Sequence, residues 1–444
     1  MAAAGATLTP ERGLYRHYVL ALLTGIYAVN VVDRFVVSVV TEDLKAFFHI
    51  SDALIGALSG IGFALIYAIL GIPIAFAADR TNRRNIVAGS IALFSAATLA
   101  CGMAMNFVQL LLARLVVGIG EAGTSPPSHS MISDLYGPKS RAAALGVISM
   151  GPNIGMLIAF MCGGWITGTF GWRATFLTAG VPGLILALLL VLTVREPVRG
   201  IQDVGHQRSE VVPSSLDVFR FLLKRRSFVQ LTIAASLWSF VNYGATQWAT
   251  PFLIRAHGLD VATVGTIVGL LLGIAGGAGS FLGGFFAGHF GAANPRFYML
   301  LPVGVLLVAM PSLPGFYLIP STPLAIASFA VFSMMNVGYF APCLATLQNL
   351  VPGRMRATTS AIFLSIVNVV GLTLGPTTVG ILSDLYRTMI DVSSIAPEHA
   401  QNYAKAEGLR WALVTCSSIG LWAVFHFYMA SRTLTDDLAR VHEM

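Results

Sequence analysis

Asp33, Arg34, Arg114 and Glu121 are ionisable residues set in otherwise apolar sequence, "YAVNVVDRFVVSVV" (27–40) and "ARLVVGIGEAG" (113–123). A charge at the centre of a membrane helix costs about 2.5–3.5 kcal/mol on insertion scales, so each group needs a compensating partner. Adjacent helix residues diverge by about 100°, so Asp33 and Arg34 do not chiefly neutralise each other. The second stretch offers one base and one acid. Arg114, Gly118 and Glu121 are spaced i, i+4 and i+7 and share a helix face. Gly118 and Gly120 let a neighbouring helix approach closely. The four groups are therefore expected to cluster around a water-filled cavity. There Glu121 or Asp33 carries a proton, and an arginine released by its protonated acid holds an anionic group. The bland alternative is a static buried ion network, which such residues also form.

The elements that must position them are membrane helices. Of 444 residues, 56% are hydrophobic and 11% charged, against about 25% charged in an ordinary soluble domain. Twelve apolar runs, centred near 28, 65, 95, 119, 153, 184, 240, 275, 306, 335, 370 and 417, are expected to cross a bilayer. With a cytosolic amino terminus, 19 of the 27 Lys and Arg fall inside, six fall outside, and Arg34 and Arg114 lie within the membrane. That bias follows the positive-inside rule and accounts for the net charge of +7 without a nucleic-acid partner. Both termini are then cytosolic, and no amino-terminal signal peptide is expected. Cys101, Cys162, Cys343 and Cys416 all fall in predicted spans, with no CxxC spacing for a metal. No cofactor or metal is expected.

The chain divides into halves: a six-helix bundle over 1–194, a cytosolic linker over 195–227, a second bundle over 228–431 and a cytosolic tail over 432–444. Within the linker, "SSLDVFRFLLKRRS" places Leu216, Phe219, Leu222 and Leu223 near basic residues, a pattern for a helix on an anionic membrane surface. A plain tether is equally consistent. The halves repeat weakly: Gly123, Pro127, Arg141 and Asn153 align with Gly338, Pro342, Arg356 and Asn368. At a shift of 209 Asp33 and Arg34 face Asn242 and Tyr243, and at the shift of 215 Arg114 and Glu121 face Phe329 and Asn336, so charge chemistry belongs to the first half. Paired repeats of this kind place transport sites between them, near the bilayer midplane.

Other polar residues in the spans are candidates for the wall of that site. "SMGPNIG" (149–155) puts a kinking Pro152 beside Asn153, which with Asn368 lines the cavity or hydrogen-bonds between helices. In "LWSFVNYGATQW" (237–248), Trp238, Asn242 and Tyr243 offer an amphipathic surface, joined by Asn336, whereas Trp248 reads as an interface anchor. His129 reads as structural, and His426 has no assigned role.

"AFAADRTNRR" (75–84), between the second and third runs, resembles the loop signature G-x-x-x-D-R-x-G-R-R/K of the major facilitator superfamily. It matches at Asp79, Arg80, Arg83 and Arg84 and departs at Ala75 and Asn82. "ARLVVGIGEAG" resembles the same superfamily's R-x-x-x-G-x-G signature. "VNVVDRF" (29–35) and "RLVVGIGEAGTSPPSHSMISDLY" (114–136) further resemble the spinster branch, as a bacterial homologue. The resemblance implies an all-α membrane protein whose two pseudo-symmetric six-helix bundles rock about a central site. It implies a cytosolic gate in which Asp79 faces the start of the eleventh span near Arg354 and Met355, and Arg83 pairs with Asp134. Arg80, Arg84 and Arg141 complete that gate. It also implies lipid-like cargo such as sphingosine 1-phosphate or a lysolipid. Proton-linked transport by a monomer in a bacterial inner membrane is expected. A drug/proton antiporter, a small organic acid carrier and a non-transporting membrane ligand sensor are the alternatives. No ATP-binding loop, HExxH or GxSxG is present, so neither an ATP-driven pump nor an enzyme is expected.

Overall fold

The computed structural model describes residues 10–198, 215–291, 294–352 and 355–442, with some side chains left out, Asp79 among them. Among these residues nine helical stretches are long and apolar enough to cross a membrane. One of them, Ala143–Thr193, doubles back at Gly171, whose φ of 81° admits no ordinary side chain without strain. The helices Ile61–Arg80 and Arg226–His257 complete twelve crossings. In chain order these are span 1 (Pro10–Val39), span 2 (52–80), span 3 (Arg83–Gly102), span 4 (Phe107–Leu135), span 5 (138–170), span 6 (172–193), span 7 (Arg226–His257), span 8 (Val261–Gly291), span 9 (Phe297–Leu318), span 10 (Thr322–Asn349), span 11 (356–389) and span 12 (397–442).

Spans 1 to 6 and 7 to 12 form two bundles with apolar interiors, among them Leu23, Val87 and Ile91 in the first and Leu231, Leu306 and Phe316 in the second. Hydrophobic side chains such as Phe281, Leu188 and Trp422 remain exposed on the outside, where lipid rather than water would solvate them. The bundles are clamped together at the end remote from the termini, where spans 5 and 8 touch by backbone. A Cβ on Gly265 would lie 2.3 Å from the Phe160 carbonyl oxygen, so only glycine permits this crossing. Spans 2 and 11 meet at the same end, and Ser38 donates to the Gln247 carbonyl at 2.6 Å.

Trp248, read from sequence as an interface anchor, is instead fully buried and donates its indole N–H to the Pro376 carbonyl at 3.0 Å, tying span 7 to span 11. In the linker a helix does form, Ser215–Leu223, but its covered face is Val218 and Leu222, while Leu216 and Leu223 are exposed. Residues 199–214 of the linker lie outside the described residues.

Candidate functional site

The helix of span 4 stops at Glu121 and resumes at Ser125, with Pro126 and Pro127 in its new first turn. Proline there lacks an N–H that would be unsatisfied in any case, so it starts a helix readily. Gly120 allows the approach of span 3: a Cβ there would lie 2.7 Å from the Phe94 backbone nitrogen. In the second half, span 10 stops at Asn336 and resumes at Phe340. The repeat mates Glu121 and Asn336 thus both end broken helices, and in each half an amide or carboxylate stands at the break.

Span 1 projects Asp33 and Arg34 in different directions, and each finds its partner on span 4. Arg114 Nη1 donates to Asp33 Oδ2 at 3.0 Å and to the Asp33 carbonyl at 3.2 Å. The Thr98 hydroxyl of span 3 donates to Asp33 Oδ1. Arg34 Nη2 donates to Glu121 Oε2 at 2.8 Å. The two pairs are close enough to feel one another's charge.

Their surroundings differ. The side chains of Asp33 and Arg114 are each 1% exposed, sealed among spans 1, 3 and 4 rather than facing a water-filled cavity, which corrects the expectation for that pair. Arg34 is 16% exposed and its guanidinium lies 5.6 Å from the centre of the Tyr67 ring. Glu121 is buried with Arg34, and its Oε1 accepts no hydrogen bond among the described residues. A carboxylate oxygen left bare in a buried site is costly unless a proton, a water or a ligand reaches it. Tyr27, Thr124, Ser125, Ser128 and His129 line a crevice too narrow to hold a water molecule. His129 meets the Tyr27 ring edge-on at 6.2 Å.

From the second half, Tyr243 comes within electrostatic reach of Arg34 and packs on the apolar clusters of both halves. Asn336 Nδ2 donates to Asn242 Oδ1 at 2.7 Å, so spans 7 and 10 repeat the pairing of spans 1 and 4 with neutral amides. Trp238 is not part of a substrate wall: it is fully buried, packs on Phe332, and spends its indole N–H on the Asn336 carbonyl at 3.1 Å. Asn153 faces Gly276 and Gly277 of span 8. Asn368 is half-buried and precedes a π-helical turn, Val369–Leu374, in span 11. Among the described residues neither asparagine is hydrogen-bonded to the ion pairs.

At the end bearing the termini, Arg83 Nη1 donates to Asp134 Oδ2 at 2.5 Å and to Ser130 Oγ at 2.7 Å. Glu196, a partner that sequence reasoning missed, takes Arg83 Nε at 2.7 Å and the Arg84 backbone N–H at 2.8 Å. The Arg84 side chain donates to the last carbonyls of span 6, including Val194 at 3.0 Å. Arg141 donates to the Tyr136 carbonyl at 3.4 Å, and Arg80 is exposed. These bonds all lie within the first half and the start of the linker. The Asp79 side chain and Arg354 are outside the described residues, so the expected contact with span 11 is not described.

Two six-helix bundles, each with an interrupted helix, and ion pairs buried among the membrane helices of the first define a membrane transporter working by alternating access. The chain belongs to the Major Facilitator Superfamily, whose pattern matches residues 23–376. It is 34% identical to a bacterial homolog of the human lysosomal transporter Spinster, crystallised in an inward-facing and unoccupied conformation. That match has a TM-score of 0.86 and covers 95% of this chain and 98% of the other. An MFS-type efflux pump of Mycolicibacterium smegmatis is 32% identical over 84% of this chain and 85% of its own. Human protein spinster homolog 1 is 31% identical over 54% of this chain, and the matched part is 46% of that protein. The similarity to a D-xylose–proton symporter, at 18% identity and TM-score 0.65, concerns the fold alone.

Proposed function

We propose that this transporter couples a proton to an amphipathic anion such as a lysolipid or sphingosine 1-phosphate, with Glu121 as the proton carrier and Arg34 as the anion-binding group. The observation that carries the reading is the Arg34–Glu121 pair: one carboxylate oxygen is held at 2.8 Å and the other accepts no hydrogen bond among the described residues. A proton on Glu121 frees Arg34, and a phosphate or carboxylate of the cargo takes its place. Proton and anion therefore bind together. Arginine keeps its charge throughout and can grip phosphate through two N–H groups. Asp33 already has Arg114 and Thr98 on its two oxygens and serves as a fixed anchor. Tyr67 and Tyr243 flank Arg34, and Asn242, Asn336, Asn153 and Asn368 supply neutral polar contacts further along the path. The amino-terminal end of the resumed helix at Ser125 adds a dipole favourable to an anion near Glu121.

The orientation proposed has both termini in the cytosol of a bacterium, so the clamped end faces outward and the site opens inward. Arg83, Asp134 and Glu196, with Asp79, Arg80, Arg84 and Arg141, then form the cytosolic gate region. The likeness to an efflux pump favours a second reading, a drug/proton antiporter, in which cargo displaces the proton instead of accompanying it.

Proteoliposome flux with a panel of lysolipids tests the first reading. Glu121→Gln is expected to leave folding intact and to abolish the response of flux to an imposed pH gradient. Undiminished coupling in that variant would reject Glu121 as carrier. Flux indifferent to acyl length across the panel would reject lipid cargo.

A further inference from the structure

Away from the central site, Asp52 heads span 2 at the clamped end, and its carboxylate is claimed from both halves at once. Arg255, at the end of span 7, donates Nη2 to Asp52 Oδ1 at 2.8 Å and Nη1 to Oδ2 at 2.7 Å. Ser383 of span 11 donates to Oδ2 at 2.6 Å. From Asp52's own half, Lys45 of the short helix Thr41–Phe48 reaches Oδ1. Glu42 of the same helix accepts Arg255 Nε at 2.9 Å. Asp384 of span 11 adds an anion at the start of span 2, accepting the backbone N–H of Asp52 at 3.2 Å and of Ala53 at 2.7 Å. The contact is close: a Cβ on Gly380 would lie 2.3 Å from the Asp52 carbonyl oxygen.

The side chains of Arg255, Asp52 and Lys45 are only 5%, 4% and 11% exposed. Separating the halves would strand Asp52 without a cation if Arg255 were its sole partner, and a stranded buried charge opposes separation. Lys45 changes this, because it travels with Asp52. In the clamped state the two cations compete for one carboxylate: burial, and next the Arg255 charge, hold the Lys45 ammonium below its ordinary range. Removal of Arg255 relieves that repulsion and leaves Lys45 with the whole of Asp52.

We propose that Asp52 is the exchange point of an ion latch, shared by Arg255 and Lys45 while the halves are clamped and handed to Lys45 alone when they part. Lys45 thereby makes the clamp reversible. The inference rests on the alternating access of the family and not on Glu121 or the cargo, so it stands or falls separately from the proton reading.

The two cations have opposite signs of effect. Arg255 acts only in the clamped state, so Arg255→Gln favours parting. Lys45 is dispensable in the clamped state, where Arg255 and Ser383 remain, but it is the only cation of this cluster that moves with Asp52. Lys45→Gln therefore disfavours parting. Full-length protein in liposomes, with Cys162→Ser and spin labels at Met105→Cys and Asp391→Cys on the two sides of the clamp, reports the parted population as a longer distance. The ratio of parted to clamped protein is expected to rise roughly tenfold in Arg255→Gln and to fall by a similar factor in Lys45→Gln. If Arg255→Gln does not fold, Asp384→Asn, which weakens the same clamp, takes its place with the same expected sign. Shifts in one direction for both classes of variant, or no shift in Lys45→Gln, would overturn the exchange.

Discussion

Asp33→Ala is expected to destabilise the folded protein by about 3–5 kcal/mol, the usual cost of removing one member of a buried ion pair. The Arg114 guanidinium is fully buried and held by Asp33 through two contacts. Arginine cannot escape by deprotonation, so the variant leaves a buried cation without its carboxylate among spans 1, 3 and 4. The double variant Asp33→Ala/Arg114→Leu removes both charges, and replacement of a buried pair by apolar groups is often neutral. Its unfolding midpoint in detergent is therefore expected to return most of the way to wild type. It is also expected to keep its coupling to a pH gradient, because the account gives Asp33 an anchoring role. A folded double variant without coupling would transfer the proton to Asp33 instead.

Arg34→Ala has the largest expected effect on cargo. Truncating one side of a desolvated charge pair costs about 2–5 kcal/mol, or roughly 30- to 5,000-fold in affinity for a phosphate-bearing lysolipid. The fold should survive, since the abandoned Glu121 can be neutralised by a proton. A neutral analogue with the same acyl chain should bind both proteins alike, because its tail contacts do not involve the guanidinium. Equal losses for the charged and neutral ligands would place Arg34 in packing and not in anion recognition.

The charge scheme in spans 1 and 4 is legible because bilayer physics leaves few solutions. Adjacent Asp33 and Arg34 cannot both face one partner, and span 4 carries only one acid and one base near that depth. Which acid meets which base is not legible, nor is the burial that separates a sealed pair from an accessible one. Those depend on how span 3 brings Thr98 against Asp33. Trp238 was miscast for a related reason: an aromatic residue on an apolar helix serves a cargo wall or a core equally well, and only the Asn336 carbonyl decides for the core. Glu196 follows the sixth span, far in sequence from Arg83, and no spacing rule joins them. The Asp52 cluster draws on four segments, the short helix Thr41–Phe48, the start of span 2, the end of span 7 and span 11. Arg255 had a weak signal, as one of the few basic residues at the end remote from the termini, but Asp52 reads locally as an ordinary acid in a helix's first turn. The linker helix was visible in "SLDVFRFLL", although its buried face depends on spans 7 and 11.

The central claim is that a proton on Glu121 releases Arg34 for the cargo, so binding of cargo must change the number of bound protons. The direct measurement is proton exchange when a phosphate-bearing lysolipid is added to purified transporter in weakly buffered detergent solution. Wild type is expected to take up about one proton per cargo bound in the pH range where Glu121 is ionised before binding, and its affinity should strengthen as pH falls. Glu121→Gln should bind the lysolipid with no proton uptake through that same range. Proton release in wild type would favour the antiport reading, and uptake unchanged in Glu121→Gln would contradict the account.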